Sequence, residues 1–197
     1  MPFQGWYVYH LLRIFKIYHL LRIPIICNTW FDRKVAPSLK YFPQMPQSLI
    51  KVYLHLIFHI KTTSPVIRET DLEPLHAYTA GILKGLGSNG LCIGGTENHM
   101  HVLCTMPKDV LIPDFIQKIK IATHKYLTQH NLSHYNQFAW QGGYGVFSVS
   151  ASVVGNVQRY IQNQPEHHRK HTFEEEYRQF LAAYHVEEFD ERYVFRD

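Results

Sequence analysis

The chain is short of charge. Asp, Glu, Lys and Arg make up 18% of its 197 residues, against about 25% in a typical domain. Hydrophobic residues supply 46% and aromatics 14%, so the shortage does not signal disorder. A chain of this size and apolarity buries one good core. Cysteine is also scarce. Cys27, Cys92 and Cys104 are the whole set, and none stands in a C-x-x-C pair. An odd, scattered set reads as reduced intracellular thiols rather than a disulfide framework. Neither a P-loop nor a dinucleotide glycine fingerprint occurs, so nothing points to a bound nucleotide. No uncharged run reaches the roughly 18 residues of a membrane span. Arg13, Lys16 and Arg22 interrupt the most apolar stretch, and no membrane partner is expected.

Net charge is +4, which hints at nucleic acid, but the excess is local. Residues 1–44 hold Arg13, Lys16, Arg22, Arg33, Lys34 and Lys40 against Asp32, so this piece carries +5 and the remainder −1. A case for nucleic acid must rest on local patches and chemistry. The same piece repeats "YHLLRI" at Tyr9–Ile14 and Tyr18–Ile23. The nine-residue offset puts the copies on opposite faces of a helix or a strand, so the repeat serves neither period. An extension outside the domain is expected, with Met45 as natural start, Pro37, Pro43 and Pro46 marking the boundary, and a single domain over 45–197.

"KVYLHLIFHI", 51–60, alternates as a strand, with Leu54, Leu56 and Phe58 on one face and Tyr53, His55 and His59 on the other. "TDLE" reads as a capping box on Thr70 and Glu73, opening a helix that ends near Gly85–Gly87. "LCIGG" and "HMHVLCTM" are strands. Pro113 at N1 opens a second helix, with Phe115, Ile119, Ala122 and Tyr126 at helical spacing. "WQGGYG" is a glycine turn into the strand "VFSVS". A third helix, capped by Ser150 or Ser152, runs through Tyr160 to about Gln164, and "TFEE" caps a fourth from Thr172 to about Tyr184. The order β-α-β-β-α-β-α-α predicts an α+β fold: one antiparallel-rich sheet with helices packed on it, ferredoxin-like or RRM-like.

His99 and His101 are two apart on a strand and share a face about 6.5–7 Å apart, close enough to meet on one cation. Two ligands are too few for a structural zinc site, and alone the pair reads equally as ordinary strand histidines. Tyr160 and Gln164 are four apart and share a helix face; alone they read as a core tyrosine and a solvent glutamine.

Taken together, the stretches "IGGTENHMHVL", "FAWQGGYGVFSVS", "VQRYIQNQPEHHRK" and "FDERYVF" resemble the single-tyrosine transposases of the HUH endonuclease superfamily, the group with insertion-sequence-200-like and REP-associated tyrosine transposases. The resemblance covers roughly 45–197 and leaves 1–44 out. It implies the HUH fold, His99, His101 and Gln164 as metal ligands, Tyr160 as nucleophile, and single-stranded or hairpin DNA as substrate. It also implies that two subunits can exchange the tyrosine helix, so a homodimer is a possible form. Mixed nitrogen and oxygen ligands with open positions suit Mg²⁺ or Mn²⁺. Such an ion polarises and orients a phosphate, and tyrosine attack gives a 5′-phosphotyrosine and a free 3′-OH.

Pro165 directly follows Gln164. Proline disfavours the α conformation at the preceding residue and can kink the turn, so a misaimed Gln164 and weak metal binding are expected. His167 and His168 are candidate proton acceptors for Tyr160, with solvated helix-end histidines as the plainer reading. Lys118, Lys120, Lys125, Arg159, Arg169 and Lys170 are candidate phosphate contacts. Trp140, Tyr144 and Phe147 are candidate stacking platforms or, for most of them, core packing. Two other functions stay open: a DNA-binding protein on the same fold that does not cleave, and a water-using phosphodiesterase in which Tyr160 is structural.

Overall fold

The computed structural model describes residues 49–186 and 190; the segment 1–44 lies outside them, as does most of "FDERYVF". The elements are β1 (Tyr53–His59), α1 (Glu69–Gly85), β2 (Gly90–Gly95), β3 (His99–Thr105), α2 (Ile112–His130), α3 (Leu132–Tyr135), β4 (Gly145–Val149), α4 (Val154–Gln162), α5 (Gln164–His167) and α6 (Phe173–Ala183), with a 3-10 turn over Ala151–Val153. The four strands form one sheet in the order β2-β3-β1-β4. Every pairing is antiparallel. This is the α+β sheet that the element order predicts.

Strand alternation divides the residues between two faces. Leu54, Leu56 and Phe58 of β1 join Met100, Val102 and Cys104 of β3 in the main core, against Leu75 and Leu83 of α1 and Phe115, Ile119 and Leu127 of α2. Full burial of each such side chain stabilises by about 1.5–3 kcal/mol. The other face carries His55, Ile57 and His59 of β1 and His99, His101 and Leu103 of β3. It is covered by Ile161 of α4 and by Phe173 and Tyr177 of α6. Both faces of the central strands are therefore buried, and the face that the sequence marks as polar lies under helices.

Three local expectations need correction. Thr70 does not cap α1. The helix starts at Glu69 after an extended Arg68, with no side-chain cap. Asp71 pairs with Arg68 at 2.8 Å and accepts from the Tyr135 hydroxyl at 2.5 Å, which fixes the first turn two residues earlier. On α2 the buried stripe is Phe115, Ile116, Ile119, Thr123 and Leu127; Ala122 and Tyr126 flank it. Ser150 and Ser152 bond each other at 3.0 Å and cap nothing. The Thr172–Glu175 capping box of α6 is present in both directions.

Candidate active site

His99 and His101 are fully buried, with relative exposures of 0%. On β3 they lie opposite His59 and Ile57 of β1. On the other side His101 is paired with Gly94 of β2. A Cβ at Gly94 would sit 2.8 Å from both the Ile161 Cγ2 and the Ile161 carbonyl oxygen. The missing side chain lets α4 lie directly on the sheet. Tyr160, one residue before Ile161, is thereby held over the histidines, with its ring 6.0 Å from that of His101 and 6.5 Å from that of His55. Nucleophile candidate and histidine pair meet within one chain.

Pro165 does interrupt the helix, but not as expected. It has no N–H to offer, and its ring clashes with a continuing helical carbonyl four residues back. The chain answers by ending α4 at Gln162 and leaving Asn163 at φ −92°, ψ 9°. A new turn, α5, starts at Gln164, ahead of the proline. Gln164 is 0% exposed, and its Oε1 lies 3.0 Å from His99 Nε2. The break falls before the glutamine, so the proline does not turn it away.

The residue that sequence reasoning missed is Glu176 on α6, 1% exposed. Its Oε1 accepts from the Tyr160 hydroxyl, and from the Gln164 amide at 2.6 Å. Its Oε2 lies 3.1 Å from His168 Nε2, 3.4 Å from His101 Nε2 and 3.8 Å from His99 Nε2. Phe173, Glu176, Tyr177 and Phe180 recur at helical spacing on α6, so a carboxylate within an apolar stripe was the available signal. His167 and His168 are not solvated helix-end groups. Both are partly buried, and the His167 ring lies 5.5 Å from that of Tyr160.

The proton arrangement tests whether these residues fit a cation. His99 Nδ1 lies 2.7 Å from Asn98 Oδ1, an oxygen that can only accept, so Nδ1 carries the hydrogen. Burial, with His101 alongside, pushes the His99 pKa well below 6.5, and the ring is neutral. Its Nε2 lone pair then faces Gln164 Oε1. The Gln164 amide nitrogen is committed to Glu176, which fixes the oxygen on the histidine side. His101 Nε2 is buried without a hydrogen-bond partner among the described residues, while its Nδ1 meets His55 Nε2 at 2.9 Å. Lone pairs aimed at one another are costly when buried, and a cation among them satisfies every one. The ligand atoms of His99, His101 and Glu176 lie within 4.8 Å of one another, so the donor set fits a divalent ion. His55 supplies the outer hydrogen bond that orients such a ligand. Burial pushes its own pKa down to about 3, His101 adding to the effect.

Burial raises the Tyr160 pKa, and the Glu176 carboxylate raises it further. Burial alone would also raise Glu176. The adjoining imidazoles of His101 and His168 outweigh it and hold the carboxyl well below the usual range. A cleft of about 320 Å³ opens beside the phenol, lined by His55, Asn156, Tyr160, Gln179 and Phe180.

The basic candidates separate by position. Lys118, Lys125, Arg159, Arg169 and Lys170 are exposed, Arg169 pairing with Glu166 at 2.9 Å and Arg159 with Asn156 at 2.7 Å. Lys120 is turned inward. Its Nζ donates to the carbonyls of Gln141 and Gly143 at 2.7 Å each and sits over the rings of Phe58 and Tyr144, clasping the glycine turn. Trp140 and Phe147 are core residues; Tyr144 is half-buried.

Fold and site define a class: a four-stranded antiparallel sheet presenting a histidine pair to a tyrosine on a following helix. The family model for IS200-like transposases matches residues 48–164, and the chain belongs to that family. No curated protein sequence matches it significantly. Among solved structures, one described as a transposase from Deinococcus radiodurans is similar over 59% of this chain and 93% of its own, at 23% identity and a TM-score of 0.47. A REP-associated tyrosine transposase bound to a REP hairpin is similar over 62% of this chain and 72% of its own, at 14% identity and a TM-score of 0.46. Among the described residues no helix is long and apolar enough to cross a membrane.

Proposed function

We propose that this transposase cuts and rejoins single-stranded or hairpin-bearing DNA through Tyr160. The observation that carries the reading is convergence. The Tyr160 hydroxyl, the Nε2 atoms of His99 and His101 and the Gln164 amide all meet around one carboxylate within one chain. In the step proposed, a bond forms between the Tyr160 oxygen and the scissile phosphorus as the bond from phosphorus to the 3′-oxygen breaks. The phenol proton leaves, the 3′-oxygen takes up a proton, and a 5′-phosphotyrosine remains. One phosphoester replaces another, so a second strand's 3′-OH can reverse the exchange without nucleotide hydrolysis. Glu176 Oε1 orients the phenol and stands where its proton departs. The cleft beside Tyr160 admits the strand, and burial keeps water from competing for the phosphorus. His99, His101 and Gln164 would hold Mg²⁺ or Mn²⁺, which when bound polarises the scissile phosphate. Exposed Lys118, Arg159, Arg169 and Lys170 are the cations available to phosphates nearby. Within one chain the Tyr160 hydroxyl lies against Glu176, which supports a step taken without exchange of the tyrosine helix between subunits.

The test is a labelled hairpin with a single-stranded flank, incubated with protein and Mn²⁺ and run on a denaturing gel. A covalent adduct that Tyr160→Phe abolishes is the expected result. Binding without cleavage would replace the reading with a non-cutting DNA binder. Cleavage that survives Tyr160→Phe would make water the nucleophile.

A further inference from the structure

The cleft of about 320 Å³ beside the phenol opens between α4 and α6, and each helix gives it one face. Asn156 and Tyr160 are four apart on α4, with Val157 between them. Glu176, Gln179, Phe180 and Ala183 lie at offsets of three, four and seven on α6, the spacing of one helix face. His55 and Glu176, both buried, close the floor. Val157, Tyr160 and Phe180 are half-buried and form the walls, and Asn156, Gln179 and Ala183 are exposed at the mouth.

No lysine or arginine lines this cleft, so it holds out nothing to a phosphate. It presents an aromatic wall with two amides on its rim. The Phe180 ring is fixed from several sides. Phe147 stacks on it at 5.3 Å, and the rings of His55 and Tyr160 meet it nearly at right angles at 5.2 and 5.9 Å. A ring already fixed gives up little freedom when a flat partner packs on it. The Asn156 oxygen accepts from the Arg159 guanidinium at 2.7 Å, which leaves its NH₂ as a donor and sets one cation just outside the mouth. Gln179 makes no hydrogen bond to another described residue, so its amide keeps both donor and acceptor.

We propose that this cleft takes one nucleobase of the strand beside the scissile phosphate, packed against Phe180 and Val157, with the Gln179 and Asn156 amides reading its edge. The proposal rests on the tyrosine reading above and deepens it, because it makes the protein itself a reader of the sequence it cuts. An unstacked base is a flat, uncharged ring with donors and acceptors along its edge. Proteins take hold of such a base by stacking it on an aromatic side chain and hydrogen-bonding that edge. Wall and rim here supply both. Tyr160 lines the same cleft, so a base seated there leaves its own phosphate nearest the phenol oxygen. The seated base thereby sets which phosphate is attacked. Arg159 stands outside for the next phosphate along. Ala183 keeps the mouth open, since a larger side chain at that point occupies the space of the base.

The experiment walks a single abasic site through the single-stranded flank of a labelled hairpin. Binding to the full chain carrying Tyr160→Phe, with Mn²⁺ present, is followed by fluorescence anisotropy. One position is expected at which loss of the base weakens binding on the order of tenfold, the size of one stacked base. Ala183→Phe, which fills the mouth, should weaken binding of the intact strand and erase the difference between intact and abasic strands. Gln179→Ala and Asn156→Ala, both at exposed positions, should narrow the ranking of the four bases at that position while the proteins still unfold cooperatively. Absence of any sensitive position would overturn the proposal and give the cleft to another occupant, such as the chain's own segment 187–197. A sensitive position whose effect survives both Ala183→Phe and Gln179→Ala would overturn it too. The wild-type chain separates the two readings. An adduct with no base-sensitive position refutes this inference alone. A base-sensitive position that Ala183→Phe erases, with no adduct in wild type, upholds it and refutes the tyrosine reading.

Discussion

Gly94→Ala probes the contact that seats the tyrosine helix. The added Cβ would lie 2.8 Å from the Ile161 Cγ2 and the Ile161 carbonyl oxygen, where ordinary contact begins at 3.4 Å. The deficit is about 0.6 Å. The methyl group can rotate away, but the carbonyl is backbone inside α4 and cannot, so the helix must lift. Overpacking of this kind costs about 1–3 kcal/mol. Tyr160 and Gln164 flank Ile161 and move with it. A misplacement of about 1 Å can cost on the order of a hundredfold in rate, so a loss on the order of tenfold is expected for this shift. The assay pairs single-turnover adduct formation with denaturant unfolding. Gly155→Ala is the control on the same helix. A Cβ there meets nothing within 4 Å, and the change should add about 0.5–1 kcal/mol of stability with adduct formation intact. Wild-type stability and rate in Gly94→Ala would refute the claim that this glycine sets the height of α4 above the histidines.

Three further outcomes are expected. Lys120→Met should lower stability by about 1–3 kcal/mol, because the turn carbonyls lose their donor, and should leave the salt dependence of DNA binding unchanged; a slope reduced by about one would show instead that Lys120 meets a phosphate. Asp71 is held below its ordinary 3.8 chiefly by the Arg68 hydrogen bond, burial opposing and Tyr135 adding, so its ionised form stabilises the fold above that value and the contribution is lost as pH falls through the folded pKa. Asp71→Asn should therefore lower stability at neutral pH and flatten its fall below about pH 4; a wild-type acid limb in urea titrations at several pH values would contradict this. Residues 45–197, expressed without the first 44, are expected to unfold cooperatively and form the adduct, and a chain that fails to fold would show that the segment belongs to the domain.

The sheet was legible because its two central strands, β1 and β3, alternate with period two. "KVYLHLIFHI" and "HMHVLCTM" announce both their faces, but the register that sets His59 opposite His99 was not legible, because a two-residue slip would keep the same faces. What period two does not say is whether the polar face meets water. Here α4 and α6 cover it, and that depends on contacts made far along the chain. The Thr172 box was readable because nothing competes with it; the Thr70 box failed because Arg68 and Tyr135 claim Asp71 from outside the helix. His99, His101, Tyr160 and Gln164 were found through spacing and resemblance. Glu176 was not, because a run of three glutamates in a first helical turn is what the helix dipole favours anyway. Only its place between Phe173 and Tyr177 on the apolar side distinguishes it.

The long separations within the site bear on how the protein is made. His55 and His101 are 46 residues apart, His99 and Gln164 are 65 apart, and Gln164 and Glu176 a further 12. As the chain leaves the ribosome, β1, α1, β2 and β3 can pair and bury their shared core while the histidine face still lacks its cover. Contacts of such long range are the slow ones to close. A nascent chain halted before α6 carries the histidines and the tyrosine but not the carboxylate to which Tyr160 and Gln164 are bonded. Synthesis as far as α6 thus decides when the Tyr160 hydroxyl acquires its carboxylate partner.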